Sequence, residues 1–436
     1  MKKLLVFLVL TALILSCNTT EPLPPGTNIT LKTEDVSSIE AWIKITTNNI
    51  QLPAEVTLKK NNTVEQTISL LKQDSIIYLD SLLPKTTYNF QAIIQSSNLP
   101  AGQAGQSIKS NELSVTTMDT TSQNFTFETL EFGDGYSSSY FNDVWIFDEN
   151  NIWAVGYISP EDTTINGTHI TNPNIIKRDG TSWKLQPYSG TSSGIYGIWA
   201  FDSSNIYFAN GAIVKYENGQ FIETDLGNLG FTNGQGVEKL WGSGLDNIWG
   251  IGPWGTIVHF DGQSWSKIDF DTQWRFDDIT GNPGNGFAYA SATNQSFNTI
   301  IVELKNNSTD IIYNSALTEE HLRSFSLSFV GKEFIYLGND KVWRFNIRTK
   351  KTESLFTLPV SYGVLSIAAY EKNDIYFFGD RLPSSDELIH YNGKSFTIIN
   401  YADQLAPILG SSAIKDFANV VGFINNKAYL VKVKRN

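Results

Sequence analysis

The strongest constraint on this chain is a repeat in its second half. Asp143-Val144-Trp145-Ile146-Phe147-Asp148 is followed, past Asn150-Asn151, by Ile152-Trp153-Ala154-Val155-Gly156. Gly197-Ile198-Trp199-Ala200-Phe201-Asp202 leads in the same way to Asn205-Ile206-Tyr207-Phe208, and Lys239-Leu240-Trp241-Gly242 leads to Asn247-Ile248-Trp249-Gly250. In each pair the second aromatic stands eight residues after the tryptophan. A weaker copy runs from Ile367-Ala368-Ala369-Tyr370 to Asp374-Ile375-Tyr376-Phe377. Further on the copies agree again: Asp179-Gly180, Asn218-Gly219, Asp261-Gly262 and Asn392-Gly393 each precede an aromatic, Trp183, Phe221, Trp265 and Phe396. Asn-Gly and Asp-Gly pairs suit tight hairpin turns, which need φ > 0. Each unit therefore reads as four short strands joined by hairpins.

Four-stranded units of about 40 residues are the mark of β-propeller blades. The spacing sets blades near 140–189, 194–230, 236–271, 274–316, 322–358 and 363–402. Ala413 to Lys434 supplies only about three strands, and Phe125–Phe132 is an orphan strand before the first blade. Joining these ends gives a seventh blade and hides the free sheet edges. The expectation is a seven-bladed propeller over residues 119–436, similar in repeat architecture to the WD40 and sialidase types. Trp145, Trp153, Trp199, Trp241 and Trp249 then pack between blades.

Residues 27–118 carry period-two alternation, as in Ile39-Glu40-Ala41-Trp42-Ile43-Lys44-Ile45 and Ser75-Ile76-Ile77-Tyr78-Leu79. Such alternation argues for half-buried antiparallel strands. Leu82-Leu83-Pro84-Lys85-Thr86-Thr87-Tyr88-Asn89-Phe90 resembles the Leu-x-Pro-x-Thr-x-Tyr-x-Phe signature of fibronectin type III domains. The resemblance implies a β-sandwich in which Tyr88 makes a corner hydrogen bond and Trp42 is the buried core tryptophan. The fold class expected for the whole chain is all-β.

Lys2 and Lys3 precede an apolar run from Leu4 to Leu15, too short to span a bilayer and suited to a signal-peptide core. The run ends in Ile14-Leu15-Ser16-Cys17, which resembles the bacterial lipobox. That resemblance implies a leader over 1–16, cleavage before Cys17 and lipid on this sole cysteine. A stiff Pro-rich tether follows over 17–26. Asn18 after the cysteine implies the outer membrane or cell surface, and durable attachment follows from two or three acyl chains.

Composition removes several function classes. With 32 Lys+Arg against 44 Asp+Glu the formal net charge is −12, which argues against a nucleic-acid partner. One cysteine excludes a disulfide framework or a thiolate zinc site, and four dispersed histidines do not suggest a metal centre. His259 and His390 share one repeat position and read as structural; His169 and His321 fall in loops. Asp179-Gly180-Thr181-Ser182-Trp183 resembles the Asp-box of sialidase-type propellers, but that box separates its Asp and Gly by one residue. Asp277 and Asp278 are adjacent, so a regular strand turns them to opposite faces. Gly-x-Ser-x-Gly, His-Glu-x-x-His and a phosphate-cradling Gly-Lys-Ser/Thr are missing from the sequence.

Binding residues are expected where loops lengthen, on the face carrying the second-to-third-strand and blade-to-blade connections. Insertions are expected at Tyr157–Asn174, Ala290–Asn298 and Asp380–Glu387. Trp254, at a turn tip in Gly252-Pro253-Trp254-Gly255, is joined there by Trp274, Arg275 and Asp277, with Tyr140 and Tyr196 at equivalent blade entries. The expected protein is a non-catalytic, cofactor-free, lipid-anchored monomer that presents this face to a protein or glycan partner. The rival is a glycan-active propeller, glycosidase-like or lyase-like, whose carboxylates converge across blades with their pKa values pushed apart.

Overall fold

The computed structural model describes residues 26–95, 106–133, 138–158, 164–165, 168–169, 174–186, 188, 194–232, 234–296, 298–318, 326–338, 341–359, 362–381, 385–402 and 407–436. Cys17 with its leader, His321 and Arg323 lie outside these residues, as does most of the Tyr157–Asn174 connection. Two compact units divide at Met118/Asp119. No helix among the described residues is long and apolar enough to cross a membrane.

In the first unit, Asn28–Val36, Ala41–Asn48 and Asp74–Leu79 form one antiparallel sheet. Thr63–Leu70, Ala54–Lys60, Thr87–Gln95 and Ser107–Lys109 form the other, with Leu113–Thr116 also paired to Thr87–Gln95. Strand alternation sends Ala41, Ile43 and Ile45 from one sheet, and Val56, Leu58, Phe90 and Ile94 from the other, into a single core. Trp42 is buried, but it alternates with Ile43 and so faces the other way, its ring tilted against that of Tyr78 at 5.4 Å. It is buried as expected, but outside the cluster formed between the two sheets. The Tyr88 hydroxyl accepts a hydrogen bond from the Leu83 backbone N–H at 2.9 Å, fixing the loop before its strand.

Among the described residues the second unit forms, besides a two-stranded ribbon of Thr164–Ile165 and Thr168–His169, seven four-stranded antiparallel sheets. Their first strands, Tyr140–Asp148, Gly197–Asp202, Lys239–Gly244, Arg275–Asn282, Leu327–Val330, Tyr362–Glu371 and Ile408–Ile414, neighbour one another in a closed ring. The last sheet takes its fourth strand from the other end of the unit: Phe125–Phe132 pairs with Lys427–Arg435. Its first strand begins at Ile408, earlier than the expected Ala413.

Side-chain alternation explains why these segments stack. Trp153, Tyr207, Trp249, Tyr289, Tyr336, Tyr376 and Asn419 occupy one second-strand row. Opposite them on the third strands stand Lys177, Lys215, His259, Glu303, Arg344, His390 and Lys432. The two histidines are thus equivalent, His259 stacking on Trp249 at 4.0 Å and His390 lying 5.0 Å from Tyr376. Glycine ends several second strands because the entering backbone crosses there. A Cβ at Gly252 would stand 2.0 Å from the Gly236 carbonyl oxygen, and one at Gly422 would stand 1.9 Å from that of Pro407.

Two expected insertions are corrected. Phe287–Thr293 and Thr299–Lys305 leave only 294–298 as a connection, and Asp380–Asp386 are a cross-strand pair between Asp374–Arg381 and Ser385–Tyr391. Both segments read as loops because their residues are small or polar, yet they continue the hairpin ladders.

Candidate functional site: the channel mouth

The first strands enclose a central cavity of about 350 Å³ lined from all seven sheets. Its architecture depends on an irregularity shared by four of them. In the first strands of sheets one, four, six and seven the register slips between Phe141 and Asp143, Phe276 and Asp278, Val364 and Ser366, and Ile408 and Gly410. Each bulge inserts one residue, Asn142, Asp277, Leu365 or Leu409, near the strand start, at the face that also bears Trp254. Bulges re-aim side chains in this way and concentrate at barrel rims and next to active sites. Asp277 and Asp278 both contribute to the cavity lining, and the bulge between Phe276 and Asp278 breaks the regular alternation that would turn them to opposite faces.

Below the mouth, side chains tie sheet to sheet. Asp143 Oδ2 accepts from the Ile198 N–H of the next sheet at 3.3 Å and from Lys239 Nζ at 3.1 Å. Asp278 Oδ2 accepts from the Leu327 N–H at 3.0 Å and the Ser326 hydroxyl at 2.8 Å. Ser326 Oγ accepts from the Ile367 N–H at 3.1 Å, and the hydroxyls of Ser366 and Ser411 share a bond of 2.7 Å. Burial raises the Asp278 carboxyl above its ordinary value against the pull of Lys239. Burial alone would lower the Lys239 ammonium, but Asp143 and Asp278 hold it above its usual value.

Asp277 differs from these. Its Oδ2 accepts from the Thr293 hydroxyl at 2.8 Å, while Oδ1 lies 3.6 Å from Arg275 Nε and accepts no hydrogen bond among the described residues. Arg275 is engaged elsewhere, its Nη2 donating to Glu238 Oε2 at 2.5 Å. Burial pushes the Asp277 carboxyl up to about 6, with Asp278 and Glu238 adding to the rise and Thr293 and Arg275 opposing it. Asp277 and Asp278 shift in the same direction, and both oxygens of Asp278 are engaged, Oδ2 by the next sheet and Oδ1 by the Ile279 N–H of its own strand at 2.9 Å.

Trp254 sits beside this corner, 53% exposed at the turn between Asn247–Gly252 and Thr256–Phe260. Its φ is 56°, a left-handed conformation that costs a bulky residue about 1–2 kcal/mol. Gln235 Nε2 donates to its carbonyl at 3.0 Å, and the indole lies against Gly234, where an added Cβ would meet Nε1 at 3.2 Å. Gly255 N–H donates to the Trp274 carbonyl at 2.8 Å, joining the turn to the next blade entry. Trp274 itself is half-buried against the hydrophobic cluster around Trp241 and Trp249.

Tyr140 and Tyr196 belong to a separate corner. Tyr140 stacks on Tyr157 at 5.8 Å and meets Phe423 edge-on at 6.5 Å. Burial, then the neighbouring phenols of Tyr196 and Tyr157, raise the Tyr140 hydroxyl. Tyr140, Leu409 and Phe423 line a second cavity of about 350 Å³, polar at Ser138, Ser139, Asn142 and Asn426. Trp145, Trp199 and Trp241 form an aromatic run at 4.7 and 6.1 Å and also line the central cavity, so they do more than separate blades. Trp153 packs in the cluster between the first two sheets.

Sequence reasoning missed Asp143, Glu238, Lys239, Leu365, Leu409 and Phe423. A signal existed for two of these: Asp143 and Lys239 each stand two residues before the repeat tryptophan, the position that strand alternation turns inward with it. Among the described residues no group of His, Cys, Asp or Glu is arranged to hold a metal ion.

No described protein family and no curated protein matches the sequence. Solved structures do resemble it. YCF48 bound to a D1 peptide is 13% identical, with a TM-score of 0.51 over 73% of this chain and 99% of that one. The WD40 repeats of RRP9 give 12% identity and 0.51 over 72% and 99%. A chain of the mitotic checkpoint complex gives 12% and 0.50 over 71% and 93%. At such identities the likeness establishes the fold alone, a β-propeller.

Proposed function

We propose that this protein is a non-catalytic binding or scaffold protein of the bacterial envelope, lipid-anchored through Cys17 at the outer membrane or cell surface. The N-terminal sandwich, of fibronectin type III character, serves as its spacer, and a seven-bladed propeller presents the mouth face to a protein partner. The observation that carries this reading is Trp254. A half-exposed tryptophan held in a left-handed turn contributes little to burial and costs backbone energy, and such local strain clusters at binding and catalytic sites. Propeller neighbours, among them YCF48 solved with a bound D1 peptide and a chain of the mitotic checkpoint complex, agree with a protein-binding role. The carboxylates of the mouth support binding over hydrolysis, because Asp143 and Asp278 are used in sheet-to-sheet bonds.

The test is an envelope pull-down with residues 18–436, compared with Trp254→Gly. Glycine adopts φ > 0 freely, so the variant should keep its melting temperature or gain slightly. Loss of a specifically captured protein at unchanged stability supports the reading. Release of reducing sugar from envelope polysaccharide, abolished by Asp277→Asn, would overturn it in favour of a glycan-active enzyme.

A further inference from the structure

Three features of the mouth converge on one kind of ligand. The first is a carboxylate oxygen that is ion-paired at 3.6 Å but accepts no hydrogen bond among the described residues. Of the three carboxylates lining the central cavity, Asp143 is paired with Lys239 and Asp278 is capped by Ile279, Leu327 and Ser326. Asp277 keeps Oδ1 without a hydrogen-bond donor among the described residues, and its nearest cation, Arg275, is committed to Glu238. With Glu238 beside it, the corner holds more negative than positive charge.

The second feature is the apolar wall. The same kind of bulge that inserts Asp277 in the fourth sheet inserts Leu365 and Leu409 in the sixth and seventh, Leu365 half-buried and Leu409 exposed, and all three line the central cavity. Leu409 and Phe423, 39% and 37% exposed, lie together in one cavity at this rim and so form an apolar patch. The third feature is continuity: Leu409 lines both the central cavity and the side cavity of Tyr140 and Phe423. A ligand at the mouth thus faces a carboxylate on one side of the ring and an aliphatic and aromatic slot on the other.

We propose that the mouth seats a short segment of a partner protein in which a lysine or arginine side chain enters the central cavity toward Asp277 and an adjacent apolar side chain fills the Tyr140–Leu409–Phe423 slot. This rests on the protein-binding reading above and specifies its chemistry. The cavity volumes, about 350 Å³ each, lie at the lower end of the range for ligand pockets and are sized for single side chains. An acidic segment is repelled by Asp277 and Glu238, and a neutral glycan leaves the carboxylate uncompensated in a desolvated site. A small cation alone leaves the apolar slot empty.

The experiment uses the full chain and capped heptapeptides with central Lys, Arg, Gln or Glu, flanked by Leu, Phe or Ser, read by fluorescence anisotropy. Basic peptides flanked by Leu or Phe should bind at least tenfold more tightly than their Gln counterparts. Asp277→Asn should erase that charge preference without lowering the melting temperature. Leu409→Ser with Phe423→Ser should erase the Leu/Phe-over-Ser preference while the charge preference remains. Equal binding of Lys, Gln and Glu peptides overturns the proposal, as does charge-dependent binding that ignores the flanking residues, which would assign the mouth to small cations. If the peptides fail while a protein is still captured in a Trp254-dependent way, this proposal falls and the protein-binding reading stands.

Discussion

Asp277 is kept at a cost to the free protein. Desolvation moves its carboxyl from an ordinary value of 3.8 to about 6, so the folded state holds a proton that the unfolded state has already released between those values. Stability therefore falls as pH rises through that window and levels off above it. The charged groups facing Asp277 are Arg275 on its own strand, Asp278 beside it and Glu238 on the approach to the neighbouring strand, with the Thr293 hydroxyl opposite. Two pK units amount to about 2–3 kcal/mol. Asp277→Asn should therefore raise the melting temperature by several degrees at pH 7.5, leave it nearly unchanged at pH 4, and flatten the profile between. Thermal unfolding followed by circular dichroism across that range measures this. A melting temperature lowered at pH 7.5 would mean that the ion pair with Arg275 outweighs burial. Residues whose ionised form destabilises the fold and which face a cavity are where function is sought.

At the scale of elements, the seam between the first and last strands of the propeller unit carries a buried charge network. Arg435 donates from Nη1 to Asp374 Oδ1 at 2.6 Å and from Nη2 to Asp416, while His390 Nε2 and Asp374 Oδ1 are 3.0 Å apart. Phe125 of the returning strand closes over His390, edge-on at 4.9 Å. Asp374 is 1% exposed, so removing the guanidinium strands a buried carboxylate. Arg435→Met should cost about 3–5 kcal/mol in urea unfolding, and adding Asp374→Asn should recover part of the loss. A double variant no better than the single one would show that Asp374 matters chiefly through His390. The seam was legible in the sequence, because an orphan alternating strand and a three-stranded remainder need each other. The blade rhythm was legible too, since tryptophans eight residues from an aromatic and Asx-Gly turns follow directly from strand alternation and turn geometry. The bulges were not. Asn142, Asp277, Leu365 and Leu409 share no single residue type, and an inserted residue leaves no trace in composition while turning every later side chain over. That blind spot hid Leu365 and Leu409 at the mouth and the break in alternation between Asp277 and Asp278. Trp254 was legible because a Pro-Trp-Gly turn leaves an aromatic no core to enter.

For the propeller as a whole, closure depends on which strands pair, and chain order is secondary. The Asn436 N–H donates to the Asn124 carbonyl at 2.9 Å, so the two ends of the ring lie side by side. Each sheet neighbours the next through its first strand, and the ring contains no sheet that all the others depend on. Joining residue 436 to residue 119 through a short Gly-Ser linker and opening the chain at the exposed connection near Asp271 should therefore give a folded propeller. That permutant should fall within about 2 kcal/mol of the unpermuted 119–436 unit, because loop-closure terms change slowly with length. Deleting residues 119–132 from the unpermuted unit should behave differently. It leaves Lys427–Arg435 as a bare edge and uncovers His390, so the product should associate or precipitate. Size-exclusion chromatography and urea unfolding of the two proteins decide the matter. A permutant that fails to fold while the truncated unit stays monomeric would mean that the returning strand is dispensable and that the six contiguous sheets hold the ring by themselves.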